Sequence, residues 1–457
     1  FTTAGGTSAN RIAKWNGTSW SALGSGLNST VYAIVSDSSG NIYAAGNFTY
    51  AGSATANRIA KWNGSAWSAL GTGLNYTVYS LAMDSTNNIY AGGNFTTAGS
   101  KTANYIAKWD GSTWTALGSG MNSSVFSVAT DSAGNVYAGG TFTFAGGVLS
   151  NRVAKWNGTS WSALGTGMNN DVNCVYIDHS GILYACGAFI YAGGNAASRI
   201  AKWNGSNWTG LKLGLNDIAY SMCSDLQGNL FVSGIFLSAD TVSDARRIAV
   251  WDGNEWGVLG SGITGFVTNP TAYSVTINPK GNLYVGGYFN YAGGKSSPYI
   301  AECKIPKQIV FETDGTPGAT LSGQTTQYVA NGENTSPVTA VIPDGYNFVS
   351  WTKNGTVIST NTTLIVTDVK ENMTFVANFA IKTYTVTFNA GANGSLKGQT
   401  SQTVNHGAST TAVTAVPNTG YHFVNWTGSA TSTDNPFAVK NVTSNMNFTA
   451  NFAINIY

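Results

Sequence analysis

The stretch Trp15-Asn16-Gly17-Thr18-Ser19-Trp20 decides how this chain is organised. Asn-Gly favours the positive φ angles of a tight turn, so between two short apolar runs it predicts a two-stranded hairpin. The pattern Trp-[Asn/Asp]-Gly-x-x-Trp occurs six times and accounts for twelve of the fourteen tryptophans. The pairs are Trp15/Trp20, Trp62/Trp67, Trp109/Trp114, Trp156/Trp161, Trp203/Trp208 and Trp251/Trp256. The scaffold is therefore built by copying one unit.

A recurring phenylalanine sets the length of this unit. Six copies of it lie 47 residues apart and a seventh follows after 53: Phe1, Phe48, Phe95, Phe142, Phe189, Phe236 and Phe289. One period holds four strand-like runs, a to d, which in the second period start at Val78, Asn88, Tyr105 and Trp114. Four strands in a repeat of this length are typical of a β-propeller blade.

Counting the runs gives six a, six b, seven c and six d strands. This predicts a six-bladed β-propeller over residues 1–304. Strand a would be innermost, and the two termini of this segment would share one blade. Two c-like runs, Arg11 to Trp15 and Tyr299 to Cys303, compete for one place in that blade, and the sequence leaves the choice open.

The pattern changes after Lys304, where two copies of a different unit begin. The first copy contains Gly345-Tyr-Asn-Phe-Val-Ser-Trp351, and the second contains Gly420-Tyr-His-Phe-Val-Asn-Trp426. Each copy has one Trp among alternating apolar residues, which predicts a small β module with its core around that Trp and Tyr. The predicted domains are 305–381 and 382–457.

These motifs resemble two known kinds of repeat. The first 304 residues, with Gly-Asn-[Ile/Val/Leu]-Tyr-x-x-Gly-x-Phe and [Ile/Val]-Ala-Lys-Trp, are similar to propeller repeats of bacterial secreted proteins and of the fungal cortical polarity-marker family. Residues 308 to 455 resemble the internalin B-repeat, or Listeria–Bacteroides repeat. The second resemblance implies β-grasp-like modules that act as stalks or adhesive spacers outside the cell. Neither implies a catalytic motif.

Composition narrows the class of partner. The net charge is +2 and only 9% of the residues are charged, with Lys and Arg spread along the repeats, so nucleic acid is not an expected partner. Polarity comes from Asn, Ser, Thr and Gly, while 12% of the residues are aromatic, as expected of a β-rich extracellular protein. No apolar run is long enough for a membrane span. The chain begins at Phe1 in mid-repeat, which suggests a removed signal peptide or a fragment.

The sequence offers little for catalysis or metal binding. The three histidines lie in different contexts without Cys, His or carboxylate at ligand spacing, and no nucleophile or phosphate-loop motif occurs. The Asp-x-x-Gly-Asn turns, as in Asp37 to Asn41, could supply calcium ligands but lack a run of alternating oxygen ligands, so they are interpreted as hairpin turns. We expect no enzyme activity, no metal and no cofactor.

Aromatic residues two positions after the marker Phe are the candidate ligand contacts: Tyr50, Phe144, Tyr191 and Tyr291. The same position holds Thr3, Thr97 and Ser238 in other copies, and variation within a fixed scaffold is typical of contact loops. The alternative is that these aromatics pack on the neighbouring blade.

Cys174 and Cys186 form a candidate disulfide. A turn centred on Ser180 places them opposite each other on strands a and b, and the other five copies have Ala, Ser or Gly at both positions. A bond there would be strained, because facing Cβ atoms in a sheet lie about 4.5–5.5 Å apart and a disulfide prefers about 3.8 Å. Cys223 and Cys303 have no such partner.

Three functional interpretations follow. The first is an extracellular or cell-surface structural or adhesive protein, with other surface proteins or glycans as partners. The second is a carbohydrate-binding, lectin-like propeller. The third, with the least support, is a polysaccharide hydrolase, which would need an acidic pair brought together by the fold.

Overall fold

The computed structural model describes residues 1–265, 269–329 and 332–456. Within these ranges all the secondary-structure elements are β-strands, which confirms the all-β prediction. The described residues contain no helix long and apolar enough to cross a membrane. The chain divides into two compact units, Phe1–Cys303 and Lys304–Tyr457, each with its own hydrophobic cores.

The first unit contains five antiparallel four-stranded sheets, here called blades 1 to 5, with the strand order a–b–c–d. Blade 1 consists of Val31–Ser36, Ile42–Gly46, Ile59–Trp62 and Trp67–Ala69; blade 2 of Val78–Met83, Ile89–Gly93, Ile106–Trp109 and Trp114–Ala116; blade 3 of Val125–Thr130, Val136–Gly140, Val153–Trp156 and Trp161–Ala163. Blade 4 consists of Val172–Ile177, Leu183–Gly187, Ile200–Trp203 and Trp208–Gly210; blade 5 of Ala219–Ser224, Leu230–Gly234, Ile248–Trp251 and Trp256–Val258. Strand a of each blade contacts strand a of the next, as predicted for the innermost strand.

Two incomplete sheets flank these blades. The N-terminal hairpin pairs Ala13–Trp15 with Trp20–Ala22, and blade 6 has three strands, Thr271–Ile277, Asn282–Tyr288 and Ile300–Lys304. Among the described residues no hydrogen-bonded ladder joins the hairpin to blade 6. The second c-like run fills the place beside strand b of blade 6, which answers the question that the sequence left open. The prediction that both termini share one blade is not confirmed. A closed ring of six blades is not confirmed.

The Trp-Asn-Gly-x-x-Trp hairpins form as predicted, but their turns are not the tight turns with positive φ at both Asn and Gly. Trp15 pairs directly with Trp20, which leaves a four-residue loop, and only Gly17 has a positive φ, 104°. The Asn16 side chain holds this loop, because its Oδ1 accepts hydrogen bonds from the backbone N–H groups of Thr18 and Ser19, both at 2.8 Å. Asp110 and Asp252 do the same in their copies, which explains why Asp replaces Asn there.

The aspartates of the a–b turns accept hydrogen bonds from residues of the same hairpin. Asp84 accepts hydrogen bonds from the backbone N–H groups of Thr86 and Asn88, from the Asn88 amide at 2.7 Å and from the Tyr90 hydroxyl at 3.1 Å. Burial raises the pKa of Asp84, but these hydrogen bonds outweigh it and hold the pKa below its usual value. This geometry fits the interpretation as hairpin turns.

In five of the six pairs the second tryptophan joins its repeat to the preceding one. The indole N–H of Trp114 donates to the backbone carbonyl of Leu70 in the preceding repeat at 2.9 Å. The same bond recurs in four other copies: Trp67 to Leu23, Trp161 to Leu117, Trp208 to Leu164 and Trp256 to Leu211. Each hydrophobic cluster of the first unit is likewise shared between neighbouring repeats.

The second unit contains two β modules without a helix among the described residues. The first has strands Lys307–Thr313, Thr320–Ser322, Thr326–Val329, Val338–Val341, Tyr346–Lys353, Thr356–Ser359, Thr363–Leu364 and Met373–Ile381. The second has Thr383–Ala390, Gly394–Lys397, Ser401–Asn405, Thr414–Pro417, Tyr421–Gly428 and Met446–Ile454. In both, the first and last strands pair in parallel at the centre of the main sheet, a β-grasp-like arrangement.

The tryptophans lie at the centres of the two modules, as predicted. Trp351 and Trp426 are fully buried, and their indole N–H groups donate to the carbonyls of Thr362 and Asp434, each at 3.1 Å. The tyrosines of the same motif, Tyr346 and Tyr421, are only half-buried. Their part in the cores is smaller than the sequence indicates.

Replacing Trp114 with Phe should destabilise the first unit by about 1–3 kcal/mol, because the buried carbonyl of Leu70 loses its donor. The matched control is Trp20→Phe, since the Trp20 indole N–H has no carbonyl partner in the described residues and should cost less than about 1 kcal/mol. Urea unfolding followed by circular dichroism measures both. Equal losses in the two variants would show that the inter-blade bond adds nothing.

Candidate ligand-binding face

Short hairpins connect strands b and c at one end of the blades, where the d–a connections also lie. We call them rim hairpins. Their strands are Thr3–Ala4 with Thr7–Ser8, Tyr50–Ala51 with Ala54–Thr55, Thr97–Ala98 with Lys101–Thr102, Phe144–Ala145 with Val148–Leu149, Tyr191–Ala192 with Asn195–Ala196, and Tyr291–Ala292 with Lys295–Ser296. Each candidate aromatic residue begins a rim hairpin, and each lies on a different one.

An asparagine of the preceding d–a connection fastens the rim hairpin. Asn28 Oδ1 accepts hydrogen bonds from the backbone N–H groups of Thr49, at 2.9 Å, and Tyr50, at 3.0 Å, while its amide donates to Thr49 Oγ1. The same residue makes the equivalent backbone contacts in four further repeats, as Asn75, Asn122, Asn169 and Asn216. The first residue of the hairpin thus has a fixed main-chain position and a variable side chain.

The aromatic side chains at the first position of these rim hairpins face solvent. Tyr50, Phe144 and Tyr191 are 50%, 44% and 49% exposed, which is more than packing on a neighbouring blade would leave. Tyr291 is half-buried, and the position of the clamping asparagine is Thr264 in its repeat. The structure therefore places three of the four candidates alike and the fourth in a different setting.

A residue with a left-handed backbone conformation lies just before strand c in each repeat. Its φ is between 65° and 72° in seven copies: Arg11, Arg58, Tyr105, Arg152, Arg199, Arg247 and Tyr299. Bulky residues rarely adopt this conformation, and such positions concentrate at functional sites. In blade 1 the Arg58 backbone N–H and guanidinium both donate to the carbonyl of Phe48, so the conformation turns the arginine back over the base of the rim hairpin.

A groove lies where these elements meet. One copy, of about 230 Å³, is lined by Asn10, Arg11, the segment 25–28, Tyr50 and Gly52. An equivalent groove four repeats later, of about 280 Å³, is lined by Ser198, Arg199, the segment 213–216, Ser238 and Asp240. Both present an arginine, a backbone turn and the clamping asparagine to solvent, so they can hydrogen-bond a polar ligand beside an exposed side chain of the rim hairpin.

Sequence reasoning found the variable aromatics but missed the asparagine clamp and the left-handed arginine. The asparagine was readable as a constant position, since Gly-[Leu/Met]-Asn recurs at Asn28, Asn75, Asn122, Asn169 and Asn216. The left-handed position holds Arg in five of its seven copies. In the described residues no group of three or more His, Cys, Asp or Glu side chains could hold a metal ion.

Cys174 and Cys186 are directly paired across strands a and b of blade 4, in the register expected. Both are free thiols in the structure, as are Cys223 and Cys303, so the disulfide stays a prediction. The hydrogen bond with Cys186 lowers the pKa of the Cys174 thiol, whereas burial raises the pKa of Cys186 well above its usual value.

Comparison with protein families confirms the two resemblances. Residues 7–173 match the family described as the Rax2 C-terminal beta propeller domain, and residues 310–383 and 384–456 each match the Divergent InlB B-repeat domain. No curated protein matches the chain.

Several solved structures show distant similarity. U3-55K is 14% identical, with a TM-score of 0.39 over 56% of this chain and 74% of that one. The extracellular domain of the putative one component system BT4673 from B. thetaiotaomicron is 11% identical, with a TM-score of 0.43 over 89% of this chain and 54% of that one. The WD40 propeller domain of Doa1 is 12% identical, with a TM-score of 0.34 over 61% of this chain and 93% of that one.

Treating the chain with a mild thiol oxidant should link Cys174 to Cys186, because the two sulfurs are neighbours and one thiol has a lowered pKa. Mass spectrometry of a non-reducing digest should find the two peptides joined. Cys223 and Cys303 serve as internal controls and should stay unlinked. Unlinked Cys174 and Cys186 peptides after full oxidation would contradict the prediction.

Proposed function

We propose that this chain is a non-enzymatic binding protein of the bacterial surface or of secreted material, with a structural or adhesive role. The rim-hairpin face of the first unit would contact the partner, and the two C-terminal modules would act as spacers. The matches to the B-repeat family support a surface or secreted setting. Propeller and repeat families are typically binding or scaffold modules, and this supports a scaffold rather than a catalyst.

One observation carries the proposal: the rim hairpins are fastened identically and differ at the exposed residue. The clamp by Asn28 and its equivalents keeps the main chain in place from repeat to repeat. The residue it presents changes among Tyr50, Thr97, Phe144, Tyr191 and Ser238. Loops that vary on a rigid scaffold are the usual place for recognition, because their substitution does not disturb the core.

A lectin-like function is the second candidate, and the exposed aromatics favour it. Tyr50 lines the same groove as Arg11, Asn10 and Asn28. A sugar ring could stack on the tyrosine face while its hydroxyl groups bond to the asparagines and the guanidinium. A hydrolase has less support, because acidic residues such as Asp37, Asp84 and Asp131 are committed to their own turns.

The test is binding of the whole chain to two sets of probes: a glycan array, and a panel of immobilised purified extracellular proteins. The variant Tyr50→Ala/Phe144→Ala/Tyr191→Ala should weaken any binding at least about tenfold, since truncated aromatic contacts at an interface commonly cost more than 1 kcal/mol. Glycan binding that the wild type shows and the triple variant loses would favour the lectin. Protein signals alone would favour the adhesive scaffold.

The matched control is Leu226→Ala, because Leu226 is also highly exposed but lies in an a–b turn, at the other end of a blade. Its binding should equal that of the wild type. The proposal would be contradicted if the triple variant bound every probe as tightly as the wild type, or if no probe in either set bound.

A further inference from the structure

The groove beside Arg199, here called the Arg199 groove, has aliphatic walls. Leu213 and Ile190 line it, and their side chains are 70% and 46% exposed. In every earlier copy the position of Leu213 holds Ser25, Thr72, Ser119 or Thr166, and the position of Ile190 holds Thr2, Thr49, Thr96 or Thr143. The next copy continues the change, because Leu237 follows Ile190 at the same position and is 47% exposed. Apolar side chains are thus gathered at one part of an otherwise polar face.

The loss of threonine leaves a clamping asparagine with an unused donor. In three earlier repeats the asparagine amide donates to the threonine hydroxyl at 2.9–3.0 Å: Asn28 to Thr49, Asn75 to Thr96 and Asn122 to Thr143. Asn216 still holds the backbone N–H groups of Leu237 and Ser238 through its Oδ1. Its amide has no acceptor among the described residues, because leucine offers none. The Arg199 groove therefore presents a free N–H donor.

A second substitution leaves a carbonyl without a donor. In the four earlier copies an asparagine before the left-handed residue donates to a carbonyl of the following d–a connection at 3.0–3.1 Å: Asn10 to Ser25, Asn57 to Thr72, Asn104 to Ser119 and Asn151 to Thr166. Ser198 takes the place of this asparagine in the Arg199 groove. In the part of the chain that the structure describes, nothing donates to the Leu213 carbonyl. The groove therefore offers an acceptor three residues away from the Asn216 donor.

The groove also carries one positive and one negative charge. Arg199 and Asp240 both line it, and neither forms an ion pair with another described residue. Arg152, the equivalent of Arg199 one repeat earlier, is paired with Asp171 at 3.6 Å, and Ile218 takes the place of that aspartate beside Arg199. A partner segment without net charge matches a groove whose own charges are balanced.

We propose that the Arg199 groove binds an extended peptide segment of a partner protein. One large aliphatic side chain of the peptide would pack on Ile190 and Leu213, beside Leu237. A peptide unit carries one N–H donor and one C=O acceptor, which match the free Leu213 carbonyl and the free Asn216 amide. Burying the apolar side chain removes exposed leucine and isoleucine from water and supplies most of the affinity.

A peptide fits this groove better than a sugar does. The residues that line it include no aromatic side chain, so a sugar ring finds no flat face on which to stack. The equivalent groove has Tyr50 where this one has Ser238. The two grooves thus suit different ligands. The assignment rests on the function proposed above, and it narrows the partner at this groove to a protein.

Biolayer interferometry of the whole chain tests the proposal. The probe is a host peptide of serine and threonine, immobilised at high density, with either leucine or serine at its centre. The wild type should bind the leucine peptide at least about tenfold more tightly, because only leucine has an apolar side chain to bury. The variant Leu213→Ser/Leu237→Thr should lose this preference. Its new residues are those that Ser25 and Thr49 supply in an earlier copy, so its circular dichroism and unfolding temperature should match the wild type.

A second variant tests the hydrogen bond and keeps the aliphatic walls. Ser198→Asn gives the Leu213 carbonyl the donor that it has in the earlier copies, so the leucine peptide should bind about threefold more weakly. The matched control is Tyr50→Ala, which alters the equivalent groove four repeats earlier and should bind the leucine peptide as the wild type does.

Equal binding of the leucine and serine peptides to the wild type would overturn the proposal. So would a leucine preference that the double variant retains, or glycan binding that this variant loses in the absence of any peptide binding. If the leucine peptide does not bind while the triple variant of Tyr50, Phe144 and Tyr191 still loses its own probes, the peptide site is refuted and the recognition face stands.

Discussion

The contact between successive repeats is the constraint on which the first unit depends. A single blade is a narrow sheet that cannot enclose its own core, and each hydrophobic cluster draws on two neighbours. At the outer edge of this contact the Trp114 indole donates a hydrogen bond to the Leu70 carbonyl. At its inner edge the side chains of Val125 and Val128 pack against Gly92. Stability in such an array is a sum of repeat and interface terms.

The proposed recognition face lies where this constraint is weakest. The second residue of a rim hairpin, such as Ala51 or Ala145, is buried in a cluster, whereas the side chain of the first residue lies outside the clusters. The asparagine clamp holds the main chain of that first residue and does not involve its side chain. The same clamp keeps the main chain of Tyr50, Phe144 and Tyr191 in equivalent places. One fold can thereby present several chemically different contacts along one face.

Sequence comparison among the copies predicted whatever depends on periodicity. The blade strands, the pairing of Cys174 with Cys186 and the tryptophan at the centre of each C-terminal module follow from alternation and from repeated residues. It could not predict that Asn16 would hold its turn with the side chain, since a two-residue and a four-residue turn both suit Asn-Gly. Nor could a strand count reveal that Glu302 accepts hydrogen bonds from the Asn282 amide and the Tyr284 hydroxyl and so ties the second c-like run to strand b of blade 6, because that depends on three side chains brought together by the fold.

Hydrogen exchange of the tryptophan indole N–H groups, followed by NMR, tests the central claim about the repeat contact. In the part of the chain that the structure describes, seven indoles donate to carbonyls: Trp67, Trp114, Trp161, Trp208, Trp256, Trp351 and Trp426. We expect these seven to exchange slowly, and the exposed or half-buried indoles to exchange faster: Trp15, Trp20, Trp62, Trp109, Trp156 and Trp203. Equal exchange rates for Trp109 and Trp114, and for the other internal pairs, would contradict the account.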